Sequence, residues 1–255
     1  MSAARGAGAV PALVIASFIL LLVAFWNRND LPGNLAPLPA LANEPLQTPT
    51  DRQPFTVTYN DVEYRVTPEF AYDITGLVVS FRHHNEDMSR MHRLAADHLN
   101  MVDICVIWGD NPRNGRLDRI DFWNGLFTCN FSTRDQAAWD AFRMEQLSNN
   151  HLLAADEDIR RRVKGLRVGD QVRVSGYLAS YATGNGSSRG TSTTRTDTGD
   201  GACETLFVER FELLHRPRND WRIAMWLSLA VLLASLFAYF RRPYRPYATR
   251  PRTSA

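Results

Sequence analysis

The stretch LDRIDFWNGLFTCNFS, Leu117–Ser132, decides how the middle of this chain folds. Asn124-Gly125 suits a two-residue type I′ turn, whose central residues both need positive φ. Counting outward, Trp123 faces Leu126, Phe122 faces Phe127 and Ile120 faces Cys129. Side chains alternate across a strand, so Ile120, Phe122, Phe127, Cys129 and Phe131 share one face, which must be buried. The unit is an antiparallel hairpin laid on something apolar.

Similar signals lie on either side. FTVTYNDVEYRVTP alternates around Asn60-Asp61 as a second hairpin, YDITGLVVSFR supplies a third strand and MVDICVIWG another. NEDMSRMHRLAADHLN has helical spacing. STRDQAAWDAFRMEQL opens on a Thr133-x-x-Gln136 capping box, and ADEDIRRRVKG is a short helix with acids first, bases last and a glycine stop. LRVGDQVRVSGYLAS and CETLFVERFELL read as strands. The fold class is α+β: mostly antiparallel strands with about three short helices.

Two uncharged apolar runs of 18 residues bracket this middle, Ala9–Trp26 and Ile223–Phe240. Each is near the ~20 residues that cross a hydrocarbon core. All 27 acidic residues lie between Asp30 and Asp220; residues 27–220 hold 22 Lys and Arg, and the flanks hold seven arginines and no carboxylate. A basic tail after the second run, RRPYRPYATRPRTSA, belongs on the cytoplasmic side. The expected layout is a cytoplasmic N-terminus (1–8), a span (9–26), a Pro-rich tether (27–53), an extracytoplasmic α+β domain (54–215), a second span (222–240) and a basic cytoplasmic tail (241–255). The A-x-A site Ala40-Leu41-Ala42 lies too far past Trp26 for signal cleavage. An acidic middle does not suit nucleic acid.

An exported domain favours disulfides, and three cysteines leave one over. A Cys105–Cys129 bridge joins neighbouring strands; a bridge from either to Cys203 pins the glycine-rich segment before it. That segment, 182–202, reads as a mobile tip near 184–190 and a polar strand near 191–197, where Thr194, Arg195 and Asp197 present a hydrogen-bonding surface. Asn149, Asn150 and His151 in QLSNNHLLAAD fall in a turn between two helices, placed to cap backbone or face a ligand, with His151 able to act as acid or base. His83, His84, His92 and His98 show no ligand spacing, and the acids of TDTGDG, Asp197 and Asp200, do not match a calcium loop. No metal and no cofactor is expected.

The blocks DICVIWGDN, LSNNHLL, VGDQVRVSGYL and TRTDTGDGACET together resemble bacterial two-span inner-membrane proteins with a periplasmic domain. That resemblance implies location and no activity. Separately, GDQVRVSGYL followed by CETLFVERFELL is similar in pattern to the first and last strands of OB-type small barrels, which bind many ligands. The expected function is an interaction or envelope-assembly domain whose partners are the bilayer and an envelope protein. The alternative is an envelope hydrolase using His151 with Asp197 or Asp200. With no catalytic constellation in the sequence, binding is expected over catalysis.

Overall fold

The structure, a computed structural model, describes residues 5–84, 97–125, 127–184, 186–194 and 203–241. They form two compact units, one of terminal segments up to Asp30 and from Asn219, the other of Leu31–Arg218.

The terminal unit is two helices, α1 (Arg5–Trp26) and α4 (Asp220–Phe240), both long and apolar enough to cross a membrane. Their apolar surface is largely uncovered: Trp26 is 85% and Phe240 79% exposed. Ser17, Ser228 and Ser235 give their hydroxyl protons to carbonyls one turn back, which spares an apolar surrounding an unpaired polar group. Asn219 caps α4 by accepting from the Arg222 N–H at 3.0 Å. These helices suit a membrane anchor.

The larger unit is α+β with a mostly antiparallel sheet. Its strands are β1 (Leu46–Pro49), β2 (Phe55–Tyr59), β3 (Val62–His83), β4 (Asn100–Ile107), β5 (Ile120–Asn124), β6 (Cys129–Thr133), β7 (Leu147–Leu153), β8 (Gln171–Thr183), β9 (Ser188–Arg189) and β10 (Glu204–His215). Two short helices join them, α2 (Gln136–Ala141) and α3 (Glu157–Lys164). The turn at Asn60-Asp61 forms as expected, with φ of 49° and 59°. The strand read as ending at Pro68 and the one read as starting at Tyr72 are one 22-residue strand, β3. Pro68 is tolerated inside it because the register with β8 shifts there.

β3 pairs with β4, β4 with β7, β7 in parallel with β10, β10 with β8, and β8 again with β3. On one face of these strands Ile74, Val102, Ile104, Val106, Leu152, Val174, Leu178 and Leu206 make the main core, joined by Val163 and Leu166 from and just after α3. Gly176 lies where β8 and β10 approach so closely that a Cβ would sit 1.9 Å from the Phe207 carbonyl oxygen.

A second core forms on the opposite face of β4. Cys105 and Ile107 meet Ile120, Phe122, Cys129 and Phe131 of the β5–β6 hairpin, with Phe142 behind. The register corrects the expectation: Ile120 pairs with Thr133, four residues beyond Cys129, and Phe122 with Phe131. A displacement of four is even, so Ile120, Phe122, Cys129 and Phe131 keep their common buried face. Phe127 leaves the ladder for a longer connection in which it takes φ +61°.

Other expectations change. LSNNHLL is the buried strand β7, not a turn between helices. The cap of α2 is Asp135, accepting from the Ala138 N–H at 3.1 Å; Thr133 bonds instead to the Asp135 N–H and the Arg119 carbonyl. The Pro-rich segment is no free tether beyond Asp30: Leu41 is fully buried, and β1 pairs with β3. The expected helix at 85–100 lies mainly outside the described residues. The supposed mobile tip includes β9, which pairs with Tyr181 and Ala182.

Candidate functional site

Cys105 and Cys129 form the disulfide, so neither bridges to Cys203, which stays a partly exposed thiol. A bridged pair suits an oxidising compartment. The free cysteine has specific neighbours.

Strand pairing brings them together. Asp103 on β4 lies directly across from His151 on β7, which lies across from Thr205 on β10, two residues after Cys203. Partners across a ladder share a face. Asp103, Asn149 and His151 therefore project from the side of β4 and β7 that also carries Cys105, away from the main core. Asp103 Oδ1 accepts from His151 Nδ1 and, at 2.8 Å, from His84 Nε2. A carboxylate only accepts, so both imidazoles donate. All three residues are buried.

His151 also interacts with Cys203. The thiol donates to the Phe127 carbonyl oxygen at 3.3 Å and its sulfur accepts from Asn149 Nδ2 at 3.3 Å. Phe127 roofs the cluster, its ring 6.0 Å from that of His84 and 5.9 Å from that of His151, and the Arg189 guanidinium lies 4.0 Å above it.

The electrostatics follow from these contacts. Burial alone would raise the Asp103 carboxyl, but hydrogen bonds from His151 and His84 outweigh it and hold the group well below the usual carboxylate range. Burial would lower His151; its bond to Asp103, then its interaction with Cys203, overcome this and push it up to about 9. The line Asp103–His151–Cys203 thus has the order of orienting acid, imidazole and nucleophile.

Of the residues singled out in the sequence, His151, Asn149 and Cys203 meet here. Asn150 does not: it points to the opposite face of β7 and donates to Ser148 Oγ at 2.6 Å. Thr194 is exposed and holds a local turn with Ser192, while Arg195, Asp197 and Asp200 lie outside the described residues. Asp103 escapes the sequence reading as a site residue, His84 is set aside there for want of ligand spacing, and Phe127 is placed only on the buried face of its hairpin. The usable signal is one charged residue inside the otherwise apolar run VDICVI.

His84, Asp103 and His151 are also, among the described residues, the group able to hold a metal ion, with ligand atoms within 4.8 Å of one another. Both imidazoles already bond to Asp103, so ligation would require exchanging these contacts for the ion.

Compared with known protein families, curated proteins and solved structures, the chain matches none.

Proposed function

We propose that this is a bacterial inner-membrane protein whose two spans hold an OB-like barrel on the periplasmic side, and that the barrel carries a cysteine nucleophile, Cys203, served by His151 and Asp103. The observation that carries this reading is the contiguous line from buried carboxylate to imidazole to partly exposed thiol.

The barrel rests on the returning path of pairs through β3, β4, β7, β10 and β8, with the third and fifth strands parallel and α3 between the third and fourth. GDQVRVSGYL is then the fourth strand, not the first. OB-type barrels bind ligands on the face of their second and third strands and at the loops joining strands one to two and four to five. Here those strands are β4 and β7, which bear Asp103 and His151. The two loops start at His84 and end at Cys203.

Orientation rests on the basic tail after the second span. Reporter fusions after residue 120 should be active only when exported, and fusions at Ala255 only in the cytoplasm; an exported C-terminus overturns this topology.

His151 keeps its proton to about pH 9 and offers positive charge beside the sulfur. Iodoacetamide should alkylate Cys203 of the full-length protein in detergent. At pH 7 the rate should fall about tenfold in His151→Gln, with the deficit closing at high pH. Equal rates in both proteins across pH would remove His151 from the role. The interaction reading would then stand, with an envelope protein docking at Trp123 of β5 and Trp139 of α2, which are 47% and 52% exposed.

A further inference from the structure

We infer that Asn149 is the oxyanion donor of this site and that its substrates are acyl compounds, attacked at a carbonyl by Cys203. The inference rests on the nucleophile reading above and goes beyond it by naming the reaction class and the group that stabilises the transition state.

The Asn149 amide is held at both its oxygen and its nitrogen. Its Oδ1 accepts from Asn124 Nδ2 at 3.3 Å, and Asn124 Oδ1 accepts from Ser80 Oγ at 2.6 Å. A hydroxyl can adapt its proton, but each amide in this chain has its oxygen and nitrogen assigned by its neighbour. The Asn149 NH2 therefore points away from Asn124. One of its contacts is the Phe127 carbonyl at 3.0 Å, the other the Cys203 sulfur at 3.3 Å. Two N–H bonds meet two acceptors, so the group is pinned before any substrate arrives. Such preorganisation is what an oxyanion donor needs.

The hydrogen aimed at the sulfur faces the place where a carbonyl oxygen would stand once its carbon is bonded to that sulfur. Sulfur attacks the carbonyl carbon, the C=O π pair moves to oxygen, and Asn149 Nδ2 donates to the resulting oxyanion. When the C=O re-forms, the bond to the leaving group breaks and His151 Nε2 gives that group a proton. Water then hydrolyses the thioester with His151 taking its proton, which returns the thiol and releases a carboxylic acid. Atoms and charge balance without a further reactant.

The backbone at Phe127 supports a built site. Its φ of +61° is a costly setting for an aromatic residue, and the residue contributes both the ring over the imidazoles and the carbonyl that holds Asn149 and Cys203. The disulfide fixes the next strand, β6, at Cys129.

The test compares two reactions of one sulfur in the full-length protein in detergent: acylation by p-nitrophenyl acetate, which builds an oxyanion, and alkylation by iodoacetamide, which does not. Asn149→Ala should lower the ratio of acylation to alkylation about 100-fold. Asn124→Ala, which leaves Asn149 in place but frees its amide, should lower the ratio in the same direction and serves if Asn149→Ala does not fold. An unchanged ratio in the folded variants overturns the role of Asn149. A wild-type Cys203 that is alkylated but never acylated overturns the acyl class. Failure of both reactions sinks the nucleophile reading beneath them.

Discussion

Asp103→Ala is expected to lose about 3–5 kcal/mol of stability at neutral pH, the usual cost of removing one partner from a buried charged pair. The side chain is fully buried and bonded to two imidazoles, so its loss strands His84 and His151 in a site closed by Phe127. The pH profile should carry the same signature. The folded-state value of His151 is raised to about 9 from 6.5, so its share of the stability is complete below about pH 6.5 and disappears as pH climbs through 9. That share is on the order of 3 kcal/mol. Asp103 is shifted the other way: its contribution is present above the ordinary carboxylate range and fades as acid protonates it in the folded state. Both describe one interaction and are not added. Urea unfolding of the full chain in detergent, repeated from pH 5 to 10, measures this. The wild type should weaken toward the alkaline end, and Asp103→Ala should start lower and lose most of that slope. A loss under about 1 kcal/mol, or an unaltered slope, would show that the carboxylate is not what holds His151 charged.

Local chemistry made the hairpins and strands legible. Asn60-Asp61 announces its turn because both residues accept positive φ, and the alternation of Val102, Ile104 and Val106 marks β4. The face opposite that alternation is where reading fails. Asp103 and Cys105 look like the solvated side of a strand, yet a hairpin from elsewhere in the chain covers Cys105 and Phe127 covers the Asp103 cluster. LSNNHLL fails for a related reason. Its asparagines favour turns as isolated residues, but Ser148 and Asn150 serve one face of β7 while Asn149 and His151 serve the other. What decides is the partner, and the partners lie far off: Asp103 is 48 residues from His151, and Cys203 is 54 from Asn149. No window of periodicity reaches that distance.

The disulfide ties stability to the site, which makes its removal the second large effect. Cys105–Cys129 spans 24 residues and fastens the β5–β6 hairpin to the outer face of β4. Closing a loop of that size restricts the unfolded chain by about 3–4 kcal/mol. The bridge should also govern access to Cys203. Asn124 sits across from Cys129 at the end of the hairpin and holds Asn149, while Phe127 follows in the connection and covers His151. Without the bridge, Phe122 and Phe131 still pack on Phe142, so the hairpin keeps an apolar reason to stay docked. Its connection, held by a few polar contacts, should open first, because local openings follow the weakest contacts. The Cys105→Ala, Cys129→Ala double variant is therefore expected to fold, to unfold about 3 kcal/mol more easily, and to expose Cys203 to a bulky maleimide several-fold faster than wild type. Loss of stability without faster labelling would confine the bridge to scaffolding. Faster labelling with no loss of stability would mean that the hairpin tip moves independently of its base, and that Phe127 alone controls entry to the sulfur.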